Sequence, residues 1–201
     1  MQPREPSHGD TAAVILAAGA STRFGSMKQV AQVGGGTMLE RVVAVARAAG
    51  LAPIVTVVPA GLGAPTGALR VVNDRPEDGL SRSLRLGVGA LPPDVGAAVI
   101  LLGDQPTVDP STIEALIDHG RGARPVVAPR AAGRIGPPVL IRREAFHLVE
   151  EARGDDGLAP VLARYPELVT HMDIAVHSPD IDTPSDLANL QDALSREVRG
   201  S

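Results

Sequence analysis

Residues 14–28 read VILAAGASTRFGSMK, an apolar run followed by a loop of small residues that also carries one arginine and one lysine. In the pattern LAAG-x-S-x-R-x-G-x-x-K, only Phe24 and Met27 are bulky after Leu16, apart from the two cations. Small side chains let backbone N–H groups approach a polyphosphate closely, and Arg23 and Lys28 can neutralise charge on the same ligand. The segment therefore predicts a cradle for a nucleoside triphosphate, with a flexible surface loop as the structural alternative.

Better-known phosphate-binding loops do not match this spacing. A Walker loop requires Gly-x-x-x-x-Gly-Lys-Ser/Thr, whereas Gly19 and Gly25 are too far apart and two residues separate Gly25 from the lysine. The dinucleotide fingerprint Gly-x-Gly-x-x-Gly also fails, because the three glycines at 34–36 follow no strand and predict a turn before Thr37. The sequence therefore predicts neither a kinase-type nor an NAD-type site.

The amino-acid composition excludes several classes of protein. With 201 residues and 44% hydrophobic content, the chain can bury a sizeable core as one domain over residues 11–201, after a short disordered leader of residues 1–10. The net charge of −4, without a basic cluster, disfavours a nucleic-acid surface. The absence of cysteine excludes a disulfide framework and a thiolate metal site. Because the sequence shows no signal peptide and no apolar run of membrane-spanning length, we expect a cytoplasmic protein without a membrane partner.

Strand-like and helix-like patterns alternate along the chain. Continuous apolar runs at residues 13–17 and 97–102 are typical of strands buried on both faces of a parallel sheet, and residues 37–49 carry apolar residues at helical spacing. Asp109 and Pro110 predict the start of a helix that runs to about residue 120. This alternation predicts a three-layer α/β/α sandwich with a Rossmann-like, mostly parallel sheet that binds ligands at the carboxyl ends of its strands. The other predicted strands are 53–58, 70–72, 125–129, 139–141 and 168–174, and the other predicted helices are 80–91, 143–152, 158–164 and 184–194.

Acidic residues are expected to face the glycine-rich loop. Asp104 follows the second buried strand almost directly, at the same edge of the sheet as that loop. Mg²⁺ takes oxygen ligands and needs only one or two protein carboxylates beside phosphate oxygens, so we predict that Asp104 is a metal ligand. The alternative is that Asp104 opens a tight turn with Pro106. Asp180 and Asp182 share one side if their segment is extended, although Asp182 is also placed to cap the last predicted helix.

Four sequence blocks recur together in one known family. They are the LAAG-x-S-x-R-x-G-x-x-K loop, GLSRSL at 79–84, LGDQP at 102–106 and DIDTPSD at 180–186. On these blocks the chain, from residue 14 to about 190, resembles the nucleotidyltransferases of the molybdenum-cofactor type, in particular the molybdopterin cytidylyltransferase branch. The resemblance implies a fold of the nucleotide-diphospho-sugar transferase type and a Mg²⁺-dependent enzyme, with Mn²⁺ as a substitute ion. It also implies transfer of a nucleoside monophosphate from a triphosphate, CTP favoured, to a phosphorylated cofactor precursor such as molybdopterin, with release of pyrophosphate. A further implied partner is a molybdoenzyme or its chaperone, in transient contact.

Site residues follow from the loop and from the resemblance. We predict that Lys28 binds near the α-phosphate and Arg23 near the departing β,γ-phosphates, with Asp104 as the third catalytic residue. The family's D-x-D-T-P motif implies that Asp182 and then Asp180 complete the metal ligands. Ser81 and Ser83 lie at a predicted helix start, where capping is an equal alternative to nucleotide binding. The full predicted nucleotide-binding set is Leu16, Ala17, Ala18, Gly19, Ser21, Arg23, Lys28, Asn73, Gly79, Ser81, Ser83 and Asp104.

The acceptor side departs from the family's pattern. Cytidylyltransferases of this branch typically carry Gly-His-Pro where residues 136–138 read GPP, and Gly-Asp-x-Gly-Ala-Arg in the region where residues 154–160 read GDDGLAP. A guanylyltransferase for another acceptor, of the 2-phospholactate type and using GTP, therefore stays open, as does a nucleotide-binding accessory protein without turnover. Residues 154–157 form either an acceptor loop or an acidic surface turn. The residues that the resemblance assigns to the acceptor are Gln105, Gly136, Pro138, Gly154 and Asp155.

Overall fold

In a computed structural model, residues 10–19, 28–175 and 178–200 are described, and ten strands and five α-helices alternate within these ranges. The strands are β1 Thr11–Leu16, β2 Gln32–Val33, β3 Gly36–Thr37, β4 Ile54–Pro59, β5 Leu69–Asn73, β6 Ala97–Leu102, β7 Val126–Ala131, β8 Arg134–Ile135, β9 Val139–Arg142 and β10 Val169–Asp173. The helices are α1 Met38–Ala48, α2 Leu80–Gly89, α3 Pro110–His119, α4 Ala159–Arg164 and α5 Pro184–Gly200. Segments of 3₁₀ helix are Lys28–Val30, Pro76–Asp78, Arg143–Glu151 and Pro166–Leu168.

The main sheet has the strand order β10-β7-β9-β6-β1-β4-β5, and β8 pairs with β7 outside this path. The central strand β1 is parallel to both β4 and β6, and Val14 pairs with Val55 on one side and with Ile100 on the other. Strand β9 is antiparallel to its two neighbours, β6 and β7. The predicted mostly parallel sheet is therefore confirmed, with β9 as an antiparallel insertion.

Helices cover both faces of this sheet. Val14 packs with Leu84 of α2 and with Leu162 of α4 in one apolar cluster, to which the 3₁₀ segment Arg143–Glu151 also contributes. Ile15, the next residue of β1, belongs to the opposite cluster with residues of α1 and α3. Since consecutive side chains of a strand point to opposite faces, this alternation builds the predicted three layers.

Most of the predicted helices and strands form, although their first and last residues differ from the prediction. Residues typical of helix N-caps precede two of the helices. Thr37 caps α1 in a capping box with Glu40, and Asp109 caps α3 by accepting a hydrogen bond from the N–H of Ser111. The predicted glycine turn lies between β2 and β3, where Gly34 and Gly35 have φ of 56° and 89°. The helix predicted at 143–152 is instead 3₁₀ over Arg143–Glu151, and the short strands β2, β3 and β8 were not predicted.

The strand order reverses beside β1, which places two loops next to each other. The chain runs from β1 through β4 to β5 and then returns to β6 on the other side of β1. The N–H of Gly103 donates to the carbonyl of Leu16 at 2.9 Å, and a Cβ on Gly103 would lie 2.7 Å from the Cβ of Ala17. Glycine at 103 therefore lets the ends of β1 and β6 approach each other at the point where open α/β sheets bind ligands. No helix in the described part of the chain is long and apolar enough to cross a membrane.

Candidate functional site

A cleft of about 530 Å³ opens at the carboxyl ends of β1 and β6. Its volume is in the range of small-molecule sites. Segments that are distant in sequence reach it: the end of β1 with the residues that follow, the end of the glycine-rich loop, the start of α2, the end of β6 with the residues that follow, the segment around residue 155 and the residues before α5. The cleft is lined by Leu16, Ala17, Gly19, Lys28, Gln29, Leu80, Leu102, Gly103, Asp104, Asp155 and Asp182.

An ion-paired triad lies in this cleft. The Nζ atom of Lys28 is 2.6 Å from Oδ2 of Asp104 and 2.8 Å from Oδ1 of Asp182. The Lys28 side chain is only 11% exposed, whereas that of Asp182 is 43% exposed. The structure therefore brings together three of the predicted site residues, and it places a compact cation between two carboxylates.

Lys28 is the only lysine in the chain, and the other 18 of its 19 basic residues are arginines. An ammonium is a compact point charge with three donors, whereas a guanidinium is a planar fork that needs more room. This composition was a signal in the sequence that the motif alone did not reveal. We therefore predict that this position requires the smaller cation.

The carboxylates of Asp104 and Asp182 stabilise the protonated form of Lys28. Burial lowers the pKa of the ammonium, but the hydrogen bonds and negative charges of Asp104 and Asp182 outweigh burial, and the pKa lies above its ordinary value of 10.5. Lys28 is therefore a cation throughout the physiological pH range.

Local hydrogen bonds bring the segment before α5 to the end of β6. The N–H of Ile181 donates to the carbonyl of Asp104 at 3.0 Å. Thr183 Oγ1 accepts a hydrogen bond from the N–H of Asp186, and the carboxylate of Asp186 accepts one in return from the N–H of Thr183 at 2.8 Å. This reciprocal pair fixes the start of α5, while the Asp182 side chain is directed to Lys28.

Asp180 lies beside the triad and is bound by Gln105. The Nε2 atom of Gln105 donates to Oδ1 of Asp180 at 2.8 Å. Removal from water raises the pKa of Asp180 above its ordinary value, repulsion from Asp104 and Asp182 adds to this rise, and the hydrogen bond from Gln105 opposes it. Gln105, which the resemblance assigned to the acceptor, is buried and positions an acid.

The carboxylates of this site fit a hard divalent cation. No three acidic or histidine side chains converge into a preformed metal cluster within residues 10–19, 28–175 and 178–200. Oδ1 of Asp104, however, is buried and has no hydrogen-bond partner among the described residues. A buried carboxylate oxygen without a partner is costly, and a cation would satisfy it. Asp104 and Asp182 offer the one or two carboxylates that Mg²⁺ uses beside phosphate oxygens.

The N-terminus of α2 is occupied by protein groups. The N–H of Leu80 donates to Oδ1 of Asp155 at 3.1 Å, and the N–H of Ser81 donates to the carbonyl of Gly154 at 2.9 Å. A Cβ on Gly79 would lie 2.5 Å from the backbone of Gly154, so only glycine permits this contact. Residues 154–157 therefore form a turn that covers the helix end, and these two N–H groups already have acceptors.

The alternative that Ser81 or Ser83 caps α2 is wrong. The N-cap is Gly79, which has no side chain to offer, and Ser81 is buried in the first turn. Ser83 Oγ instead accepts a hydrogen bond from Nδ2 of Asn73 at 3.0 Å, in a buried contact. Asn73 also accepts from Nε of Arg82, so these residues join the end of β5 to α2. Nucleotide binding by Asn73, Gly79, Ser81 and Ser83 stays a prediction.

The other predicted residues divide between two regions. Leu16, Ala17 and Gly19 line the cleft, as does Asp155, whereas Gly136 lines an adjacent apolar pocket. Ala18 is buried beside them. Ser21 and Arg23 lie outside the described residues. Sequence reasoning missed Gln29, which is buried, lines the cleft and donates to the carbonyl of Gly19 at 3.2 Å.

The fold and this cleft define a class of protein. A Rossmann-like α/β sheet with its charged groups where the strand order reverses is typical of proteins that bind ligands at the carboxyl ends of their strands. The sequence matches the MobA-like NTP transferase domain over residues 13–169, and the chain belongs to this family of nucleotidyltransferases. The predicted resemblance is confirmed at the level of this family.

Known proteins resemble the chain to different extents. It is 34% identical over 134 residues to the 2-C-methyl-D-erythritol 4-phosphate cytidylyltransferase of Streptomyces coelicolor. That match covers 59% of this chain and 49% of the relative, so the chain spans about half the length of this curated relative. The solved structure of Rv0371c from Mycobacterium tuberculosis H37Rv is similar with a TM-score of 0.77 and 28% identity, covering 90% of this chain and 97% of that chain. A complex of Rv0371c with manganese is similar with a TM-score of 0.76 and 27% identity, covering 92% and 99%.

Proposed function

We propose that the protein transfers a nucleoside monophosphate from a nucleoside triphosphate to a phosphorylated small molecule and releases pyrophosphate. The observation that carries this proposal is the position of Lys28 between Asp104 and Asp182, at the ends of β1 and β6. A cation between two carboxylates can bind a polyanion while the carboxylates hold a divalent cation. The family supports the same class of reaction.

The reaction is a displacement at phosphorus. An oxygen of the acceptor phosphate attacks the α-phosphorus of the triphosphate, and a new P–O bond forms as the bond from the α-phosphorus to the bridging oxygen breaks. The electron pair of the broken bond leaves with pyrophosphate, and no covalent enzyme intermediate is needed. The protein's task is to position two anions and to offset their repulsion.

Residues of the cleft divide this task. Lys28, in close contact with both carboxylates, lies where its ammonium can bind the triphosphate near the α-phosphate. A Cβ on Gly19 would meet no heavy atom of the described residues within 4 Å, and the lack of a side chain there would let a phosphate approach the backbone. Asp104 and Asp182 would hold Mg²⁺, for which Mn²⁺ can substitute, and the ion would neutralise charge on the phosphate oxygens. Asp180 would act as an additional acid beside them, and Arg23 and Ser21 are proposed ligands of the phosphates from the family motif alone.

CTP is the proposed donor, because the curated relative is a cytidylyltransferase. GTP is the second candidate. For the acceptor, molybdopterin and a 2-phospholactate type of compound both stay predictions, as does transient contact with a molybdoenzyme or its chaperone. We also propose that residues 11–201 act as one domain that carries both substrates.

Ligand-induced stabilisation tests the donor. A ligand that binds only the folded state raises the melting temperature by mass action, so CTP, GTP, ATP and UTP are compared, each with Mg²⁺ and with Mn²⁺. We expect CTP to give the largest shift in the wild-type protein and in Asp192→Asn, a change at an exposed acid of α5. Asp182→Asn should reduce the shift. The proposal is abandoned if no nucleotide stabilises the wild-type protein.

Pyrophosphate release then separates an enzyme from a binding protein. The same four triphosphates are incubated with molybdopterin, with 2-phospholactate and with sugar phosphates. Release that requires both an NTP and an acceptor supports the transferase. Nucleotide binding without release under any pairing would favour the nucleotide-binding accessory protein.

A further inference from the structure

An apolar pocket of about 120 Å³ adjoins the charged cleft. Its wall is built from strands β1 and β6, helix α2, the segment before β9 and the start of α4. Leu16, Leu80 and Leu102 line both the pocket and the cleft, so one space continues into the other. Leu84, Ile100 and Val139 complete much of the apolar wall.

The side chains of the lining favour an apolar occupant over a charged one or one with many hydrogen-bonding groups. Among the described residues that line the pocket, none is cationic, and the single ionisable side chain is that of Asp156. A phosphate would therefore meet no positive partner there and would be repelled by a carboxylate. A nucleobase has several donors and acceptors on its edge, and aliphatic walls would leave them without partners at a cost of about 1–3 kcal/mol each.

One wall of the pocket is held against helix α2 by hydrogen bonds. The turn that provides Asp156 and Gly157 is attached to α2 by the hydrogen bonds from Leu80 to Asp155 and from Ser81 to Gly154. A Cβ on Gly157 would lie 3.1 Å from Cδ2 of Leu80. The pocket is therefore preformed and does not need a closing movement to take an apolar group.

On the basis of the proposed transferase function, we propose that this pocket binds a compact apolar group of the acceptor while the acceptor's phosphate lies in the charged cleft near Lys28. An engineered apolar cavity of about 150 Å³ binds benzene, so about 120 Å³ corresponds to a group of about four to six carbon atoms. The acceptor is thus a phosphomonoester with a small aliphatic or aryl group, rather than one that presents a hydrogen-bonding heterocycle to this wall.

A series of alkyl phosphates tests this inference. Binding of methyl, ethyl, propyl, butyl and octyl phosphate is measured by calorimetry, with Mg²⁺ and a non-hydrolysable CTP analogue present. Each methylene buried in an apolar site is worth about a fourfold gain in affinity, so the affinity should rise by about that factor per carbon up to butyl phosphate. It should then level off once the pocket is full. An equal affinity for methyl and butyl phosphate would overturn the proposal.

Two substitutions in the same helix locate the effect. Ala159 lines the pocket, whereas Ala163 is exposed four residues later in α4. Ala159→Leu should fill the pocket and remove the dependence on chain length, and Ala163→Leu should bind the series as the wild-type protein does. Chain-length dependence that persists in Ala159→Leu would place the apolar group elsewhere and refute the assignment.

A pocket-enlarging variant and the nucleotide control complete the design. If Ala159→Leu does not fold, Val139→Ala serves instead, because the larger pocket should move the plateau to longer chains. An unchanged plateau in that variant refutes the assignment. Binding of the CTP analogue alone is measured in each protein. If the wild-type protein binds the CTP analogue but its affinity for alkyl phosphates does not depend on chain length, only the pocket assignment is rejected. If the affinity depends on chain length but the CTP analogue does not bind, only the nucleotide function is rejected.

Discussion

Helix α2 lies so close to the sheet that one of its glycines cannot be replaced without moving it. A Cβ on Gly87 would lie 2.4 Å from Cγ1 of Val14 and 2.9 Å from Cγ2 of Val57, and both valines are fully buried in the sheet. Carbon atoms in contact prefer about 3.5–4.0 Å, and valine has little rotamer freedom. Gly87→Ala must therefore push α2 away from β1 and β4, together with Leu80, which lines the site.

The expected change in the free energy of unfolding is the difference between a packing cost and a gain in helix stability. Adding a methyl to a packed core costs about 1–3 kcal/mol, while replacing glycine by alanine inside a helix contributes about 0.5–1 kcal/mol of stability. Gly87→Ala should thus lower the free energy of unfolding by up to about 2 kcal/mol. An added Cβ on Gly89, in the same helix, would have no heavy atom of the described part of the chain within 4 Å. Gly89→Ala gains the helix term alone, so the difference between the two variants isolates the overpacking cost.

Urea denaturation followed by circular dichroism measures both variants, because the chain has no tryptophan for a fluorescence signal. For a protein of this size, about 1 kcal/mol corresponds to about 2–4 °C in melting temperature, so Gly87→Ala should melt several degrees below Gly89→Ala. The apparent affinity for CTP should fall as well, if α2 is displaced. Equal stability of the two alanine variants would show that α2 is not pressed against the sheet, and the close packing argued here would be wrong.

Two further predictions concern the charged site. Lys28→Arg keeps the charge but not the compact shape, so its turnover should fall about 10²- to 10³-fold, as should that of Lys28→Met. The melting temperature of the arginine variant should stay near that of the wild-type protein. Full activity of the arginine variant would show that any cation can replace the lysine. Asp180 has a raised pKa in the folded state, so its ionisation costs stability as the pH rises from its ordinary value of 3.8 through the raised value. Asp180→Asn should therefore have a higher free energy of unfolding than the wild-type protein at pH 7. Urea titrations at a series of pH values should show this difference shrinking as the pH falls. A variant that is less stable than the wild-type protein at pH 7 would contradict the pKa shift.

The parts of the fold that depend on local patterns were predictable. Continuous apolar runs identified β1 and β6, and the capping residues Thr37 and Asp109 lie where helices α1 and α3 begin. Asp104 was predicted to belong to the site because it lies two residues after the end of a buried strand. These signals come from residues near each other in sequence, so a single sequence carries them.

Contacts between distant segments were not predictable in the same way. Lys28 and Asp182 are separated by 154 residues, and only the family motif suggested that the acid belongs to the site. The attachment of Gly79 to Gly154 has no local signature, since both residues are typical of any turn. The buried hydrogen bond from Asn73 to Ser83 also has no local signature in the sequence. These two residues, which were predicted to bind the nucleotide, bind each other in the structure. In each case, the partner is set by the packing of the sheet and not by neighbours in the chain.

The cleft and the apolar pocket differ in chemistry although they share a wall. In the proposed reaction, the charges of the cleft act on the phosphates, which all candidate substrates have in common, so Lys28 and Asp104 would promote transfer without distinguishing one acceptor from another. If the apolar pocket takes the acceptor's side group as proposed, discrimination between acceptors depends on that group, because each buried methylene raises the affinity and a buried polar atom lowers it. Under this proposal, changes in the pocket lining alter the acceptor while leaving the triphosphate site intact. That separation would account for the segments at 136–138 and 154–160, which differ from the family's pattern in a chain that has the lysine and its two acids.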